Sequence, residues 1–549
     1  MSSIVDSYLA KRKELIEEDT SLRADRAKLR NLTPLEAKAE ALVRQIRKHE
    51  AEEVFSFTLF LHEVPDVASN QIWSQKNESL EHPFPGMAFL TAKKTIESTR
   101  IFKIIKKMPK GALLHAHLEA TVDARVLLDL ALEHPNICIR SPCAIDASNM
   151  DNILPDFAPL PLAQLKELEA SPSITSSYYN PGTYIPIHKA RNEWPASLGN
   201  GFDDWVIRAI VINPTEAYGT HNTTVKIWDK FVSCFSVIRG LVAYEPVYRK
   251  YIRALFESCI EDGVSYAEIR MNFTPKTIVA ADGAGAVDHS YFVGIFQDVV
   301  QEFKADLTAQ GKGNLFHGAK LIYTVIRILS VEELKWYLDD CLELKKKFPD
   351  TLAAFDLVGP EDKMNPLIYY LEPLLEFSRT CEEQGVDLPF LFHAGETLGD
   401  GDSVDQNLYD AILLGTKRIG HAFSLVKHPA LMRLCRERNI CCEVCPVSNE
   451  ILRLTSSMPA HPLAAMLNHG VPVALASDDP GIFSNIGISY DFFQVLVASE
   501  ISGLMTLGVL ARQSIEHALL GAESKAELLK VWDCQWTEYI EEILAEHTK

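Results

Sequence analysis

Along the chain, short runs of consecutive apolar residues alternate with longer stretches in which apolar positions recur every three or four residues. Beyond residue 105 the runs Ala112–His117, Val264–Arg270, Ala319–Tyr323, Leu352–Leu357, Leu388–His393, Arg418–Gly420, Cys441–Cys445 and Pro472–Ser477 read as eight strands. Unbroken apolar runs mark strands buried on both faces, as in a parallel sheet, because a sheet with one wet face would alternate. Most intervals hold enough chain for a helix, for example Ser330–Lys347 with Leu, Val and Trp at helical spacing. Eight strands separated by helices predict an α/β fold, a (β/α)8 TIM-type barrel.

Two regions lie outside that pattern. From Val5 to Glu53 the chain is dense in Lys, Glu, Arg, Leu and Ala, with Pro34 as its one proline and no glycine, which predicts helices. Residues 1–105 are assigned to an N-terminal helical extension, a candidate dimerisation arm, since charged helices with an apolar stripe gain by burying it against a partner. A proline-containing stretch, His62 to Gly86, leads into the barrel region, residues 106–549. The interval after the first strand is too long for one helix. Residues 137–222, rich in Pro, Ser, Asn and Tyr, predict an inserted loop-rich subdomain.

With 549 residues, 47% hydrophobic and 23% charged, the composition is globular and excludes a disordered or fibrous chain. The formal charge of −20 repels phosphate, which argues against nucleic acid and anionic membranes as general partners. No window approaches the ~18 apolar residues of a membrane span, and the first thirty residues lack the apolar core of a signal peptide. Eleven scattered cysteines suit reduced thiols, so a cytoplasmic location is expected.

The first strand ends His115-Ala116-His117, two imidazoles on one face as a shared metal ion requires. Alone this is weak, for 17 histidines in this length make about half a His-x-His pair by chance. Position strengthens it, because such barrels carry their active sites at the C-terminal ends of the strands. There too fall His393-Ala394-Gly395-Glu396, Ile419-Gly420-His421 and Ser477-Asp478-Asp479-Pro480. Three histidines and an aspartate suit one Zn²⁺ with a position left for water, whose pKa zinc lowers towards ~7. Glu396, just past its strand, is placed to shuttle protons.

These motifs resemble the adenosine deaminase family of metal-dependent amidohydrolases, and more closely its larger, growth-factor-type branch. MPKGALLHAH ending at His117, KIWDKF from Lys226, FDLVGPED from Phe355, CEVCPVSN from Cys442 and the segment Leu475–Phe483 all look like that branch. The resemblance runs from about residue 100 to the C-terminus. It implies that His115, His117, His393 and Asp478 hold one zinc, that Glu396 protonates purine N1, and that His421 orients and deprotonates the attacking water. Asp479 would hold that water and ring N7, Gly359 would offer its backbone N–H to N3, and Trp228 would flank the nucleoside. The expected activity is deamination of adenosine or 2′-deoxyadenosine by a homodimer. The same chemistry on adenine, an adenine nucleotide or an N6-substituted purine stays open, as does a non-catalytic signalling scaffold.

Departures from the branch bear on compartment and sugar. Only Cys138 and Cys143 fall in the insertion, too close together to replace the family's long-range disulfide. Ile326 replaces a usual histidine just before Arg327, and Glu119 stands where many relatives carry Asp. Glu119 would reach into the ribose site and oppose a 5′-phosphate. A cytidine-type zinc site is set aside, because Cys442 and Cys445 lack its flanking pattern and read as buried thiols.

Overall fold

The computed structural model describes residues 2–52 and 84–547. Eight parallel strands form two four-stranded sheets. The first holds β1 (Gly111–Leu113), β2 (Val264–Asn272), β3 (Gly318–Ile326) and β4 (Leu352–Val358), paired in that order. In the second, β5 (His393–Ala394), β6 (Arg418–His421), β7 (Cys441–Val444) and β8 (Val473–Leu475) pair likewise. Single bridges, Phe355 with Phe390 and Ala116 with Asp478, connect the outer strands of the two sheets. All eight apolar runs therefore become strand. The Leu388–His393 run contributes least, with one bridge at Phe390 and a ladder only from His393; Pro389 has no N–H to give.

The strands are apolar throughout because both faces are covered: every residue of β4 is buried, as is all of β2 but its last. The helix Val331–Lys347 starts on a Ser330–Glu333 capping box and buries Leu334, Leu338, Cys341 and Leu342 along one stripe. Trp336 departs from the expected stripe. It is 42% exposed, with Lys276 Nζ 3.8 Å above its ring.

The insertion is more ordered than its composition predicts. Asp156–Pro159 and Ile185–Pro186 flank Ile137–Arg140 in an antiparallel sheet, against which the helices Leu162–Glu169 and Ile187–Asn192 pack. Strands of two to four residues are too short to print a period on the sequence.

Among the described residues the N-terminal region forms helices over Ser2–Thr20, Arg26–Arg30, Pro34–Glu52, Phe89–Ser98 and Arg100–Lys107. Most of the His62–Gly86 stretch lies outside the described residues. Pro34–Glu52 is built into the body: Ala39, Val43 and Ile46 are buried, and Arg47 donates to the carbonyls of Leu496, Ser499 and Ser502. Ser2–Thr20 differs, leaving Ile4, Val5, Tyr8, Leu9, Leu15 and Ile16 exposed. Among the described residues no helix is long and apolar enough to cross a membrane.

Candidate active site

The strand register assembles the site. Asp478 N donates to His115 O and His117 N donates to Asp478 O, so the ends of β1 and β8 interlock and bring both histidines to Asp478. His393 lies opposite Gly420, and Ala394 opposite His421. A Cβ on Gly420 would stand 3.0 Å from His115 Cε1 and 3.2 Å from His393 Cα, so only glycine lets these rings converge. His421 and Asp478 both hold left-handed backbone, φ 59° and 60°, a conformation costing about 1–3 kcal/mol that turns their side chains into the centre.

There, Asp478 Oδ1 lies 3.3 Å from the Nε2 atoms of both His115 and His117 and 3.9 Å from Nε2 of His421. Its other oxygen accepts from Ser448 Oγ at 2.8 Å. The ring of His393 is 4.6 Å from His115 and 5.3 Å from His117 and His421, centroid to centroid. Ligand atoms of His115, His393, His421 and Asp478 all fall within 4.8 Å of one another, and those of His117, Asp478 and Asp479 do the same. All seven strand-end residues singled out in the sequence thus come together, Glu396 included, whose Oε1 is 3.4 Å from His421 Nδ1. Among the described residues no metal-suited group contains a cysteine; Cys442 and Cys445 are buried thiols.

The donors fit a cation. Burial lowers the pKa of His117, takes His393 down to about 3 and His421 well below the imidazole range, leaving neutral rings with a lone pair each. Buried His115 Nε2 has no hydrogen-bond partner, while Nδ1 of the same ring is held by Glu443 at 2.8 Å. His393 Nδ1 is held by Asp356 Oδ2 at 2.7 Å in the same way. Carboxylate-backed imidazoles with a bare inward nitrogen are the arrangement of metal-ligating histidines.

That backing layer was not read from the sequence. Arg270 bonds Asp356 at 2.8 Å and Glu443 at 2.7 Å, and Arg418 bonds Glu443 at 2.5 Å and Glu268 at 2.7 Å, all fully buried or nearly so. Despite burial, His393 and then Arg270 hold Asp356 below the usual carboxylate range, and Arg270 and Arg418 hold Glu443 well below it. A charged residue inside a run with no exposed face is the signal that marks such a layer: Glu268, Arg270, Asp356 and Glu443 all qualify.

Around the opening, Glu396 is positioned by its neighbour Glu361, whose carboxylate accepts from the backbone N–H of Glu396 at 2.9 Å and from Asn407 at 2.6 Å. Burial, then the charges of Asp478, Glu361 and Asp362, push the Glu396 carboxyl well above the usual range, which favours its protonated form. Buried Glu396 Oε1 and Asp479 Oδ1 lack hydrogen-bond partners. Gly359 directly follows β4 with φ 110°, and a Cβ there would meet Met364 Sδ at 2.6 Å and Ile326 Cγ2 at 3.4 Å. Trp228 is buried on the helix Thr224–Val242, edge-on to Phe231, which stacks on Phe483 just beyond Asp479. Half-buried Glu119 accepts from the Asn272 N–H at 3.1 Å, and burial raises its carboxyl to about 7.

The adenosine deaminase family model matches residues 212–533. Adenosine deaminase 2-A of Danio rerio is 32% identical over 84% of this chain and 85% of its own, and human adenosine deaminase 2 is 32% identical over 84% of each. An Arabidopsis N6-mAMP deaminase structure superposes with a TM-score of 0.51 at 18% identity, over 79% of this chain and 99% of its own. That likeness speaks to fold. The chain therefore belongs to the adenosine deaminase family, on its adenosine deaminase 2-like branch, and is an aminohydrolase of that kind with a buried metal-binding cluster.

Proposed function

We propose that the protein is a zinc-dependent hydrolase that replaces the 6-amino group of adenosine or 2′-deoxyadenosine by oxygen and releases ammonia, with its site at the mouth of a closed (β/α)8 barrel. One observation carries the reading: four imidazoles converge on Asp478 beside Glu396 and Asp479, each of which has a buried carboxyl oxygen without a partner. The two bridges between the sheets support barrel closure.

His115, His117, His393 and Asp478 would hold one Zn²⁺. When bound, it supplies the Lewis acidity that makes a water nucleophilic at neutral pH. The protonated Glu396 donates to ring N1, which draws electrons from C6 and opens it to attack. His421 orients the water, and Asp479 holds it and ring N7. The backbone N–H of Gly359 faces N3, approached closely because no side chain intervenes. Water adds at C6; one of its protons passes to the amino group, which leaves as ammonia, and the other returns to Glu396, leaving a carbonyl at C6 and the donated proton on N1.

At the sugar end a second reading has support. Ile326 and Met364 present apolar atoms beside Gly359, and Glu119 is tied to the Asn272 N–H, so few groups are left to bond a ribose. Among the alternatives, adenine, an adenine nucleotide and an N6-substituted purine, this favours adenine, which brings no ribose to bind, while Glu119 opposes a nucleotide's 5′-phosphate. Incubating the zinc-loaded protein with adenosine, deoxyadenosine, adenine, AMP and N6-methyladenosine, and measuring amine release, ranks them. Adenosine and deoxyadenosine are expected to lead; no ammonia or amine from any of them overturns the proposal.

We also infer a homodimer in a reducing, cytoplasmic compartment. The exposed apolar stripe of Ser2–Thr20 supports the first, and eleven unpaired cysteines support the second. Sedimentation of a chain lacking residues 2–20 is expected to show a monomer.

A further inference from the structure

We propose that His461, acting through Asn449, is a positioning residue that fixes the tautomer of His421 with its proton on Nε2. The proposal rests on the reading of His421 as part of the deamination site. A chain of hydrogen bonds, each with one possible polarity, carries it.

The backbone N–H of Leu463 donates to His461 Nδ1 at 3.1 Å, so that nitrogen bears a lone pair. His461 is buried, and burial holds it neutral by lowering its pKa to about 3. Its one ring proton is then on Nε2, which donates to Asn449 Oδ1 at 3.0 Å. That contact settles which way round the Asn449 amide lies, since its nitrogen is the end turned to His421 Nδ1 at 3.3 Å. An amide nitrogen can only donate. His421 Nδ1 is therefore an acceptor, and a ring whose Nδ1 holds a lone pair carries its proton on Nε2, facing Asp478 Oδ1 at 3.9 Å.

Two consequences follow. A ring with Nδ1 engaged and Nε2 protonated has no lone pair for a metal, so His421 is excluded as a ligand although it lies within the cluster. His117 is left as the third nitrogen ligand. In the reaction His421 Nε2–H donates a hydrogen bond to the attacking water's oxygen and aims its lone pair at C6, so His421 orients the water but does not deprotonate it, unlike the role the family resemblance implies. The helix Pro446–Ile451 carries Ser448, which bonds Asp478, as well as Asn449, so one element sets both groups.

The test is a ¹⁵N spectrum of the zinc-loaded, full-length protein labelled at histidine, with the His421 signals assigned by their loss in His421→Gln. The expected result is Nδ1 at the position of an unprotonated imidazole nitrogen and Nε2 at that of an N–H. Asn449→Asp keeps the shape but offers His421 an acceptor. It should invert the two signals and lower kcat about 10–100-fold, as loss of an outer partner does, with KM and zinc content unchanged. His461→Gln, which still donates to Asn449, should keep kcat within about threefold, while His461→Leu should lose about tenfold or more. Wild-type His421 found protonated at Nδ1, or an Asn449→Asp enzyme with unchanged signals and kcat, overturns the proposal. The wild-type spectrum decides even if His461→Leu fails to fold. An inverted tautomer in a protein that deaminates adenosine sinks the relay alone, whereas the expected tautomer without activity on any purine sinks only the functional reading.

Discussion

Asp356→Asn tests the layer beneath the metal site. The two oxygens of Asp356 have separate duties: Oδ1 accepts from the backbone N–H groups of Leu357 at 2.7 Å and His393 at 2.9 Å, and Oδ2 accepts from Arg270 Nε at 2.8 Å and His393 Nδ1 at 2.7 Å. An asparagine must keep its oxygen on the two backbone donors, which turns its NH₂ towards Arg270 and His393. Donor then faces donor. His393 escapes by moving its proton to Nε2, which removes the lone pair offered to zinc. Loss of such an outer carboxylate is worth about 10–100-fold in metal affinity, or about 1.4–2.7 kcal/mol. Arg270, buried and stripped of one of its two carboxylates, adds a folding cost of about 3 kcal/mol, the low end for a broken buried pair because Glu443 remains. Competition titration with a zinc chelator and urea unfolding of the metal-free protein measure the two effects separately. Wild-type zinc affinity together with an unchanged unfolding midpoint would refute the reasoning.

Further outcomes are expected. Glu396→Gln should lower kcat at least ~100-fold while zinc content, read by metal analysis, stays at one per chain; retained turnover would remove Glu396 as the acid. Gly420→Ala would press a methyl between His115 and His393, and is expected to cost about 1–3 kcal/mol of stability and to weaken zinc binding in the same titration. Glu450, buried and bonded to the Phe89 N–H and Tyr218 OH, is raised from 4.5 to about 7, so between those values the folded chain keeps a proton that the unfolded chain has lost. Its contribution is present below pH 4.5 and lost as pH rises through 7. Glu450→Gln should therefore gain up to about 3 kcal/mol over wild type at pH 8 and little at pH 4, measured by urea unfolding.

What the sequence disclosed follows from how each feature is buried. The strands were legible because coverage on both faces makes β2 and β4 continuous apolar runs, and the site was legible because its ligands sit at the ends of those runs, where polarity resumes. The layer holding the ligands was passed over, since a lone Glu443 or Asp356 inside an apolar run reads as noise until the register shows which histidine stands above it. The partners of His421 were hidden for another reason. His461 belongs to no strand and reaches the site only through Asn449, a contact fixed by folding. The insertion's sheet escaped because its strands are shorter than one readable period, and Trp336 because cation contact with Lys276 competes with burial for an aromatic ring.

The central claim is that this metal cluster hydrolyses the 6-amino group of a purine nucleoside. The most direct test is ammonia release from adenosine by the protein before and after chelation, with zinc added back. Ammonia and inosine formed in equal amounts, lost on chelation and restored by one zinc per chain, is the predicted result. A fully zinc-loaded, folded protein that leaves adenosine and deoxyadenosine untouched would contradict it.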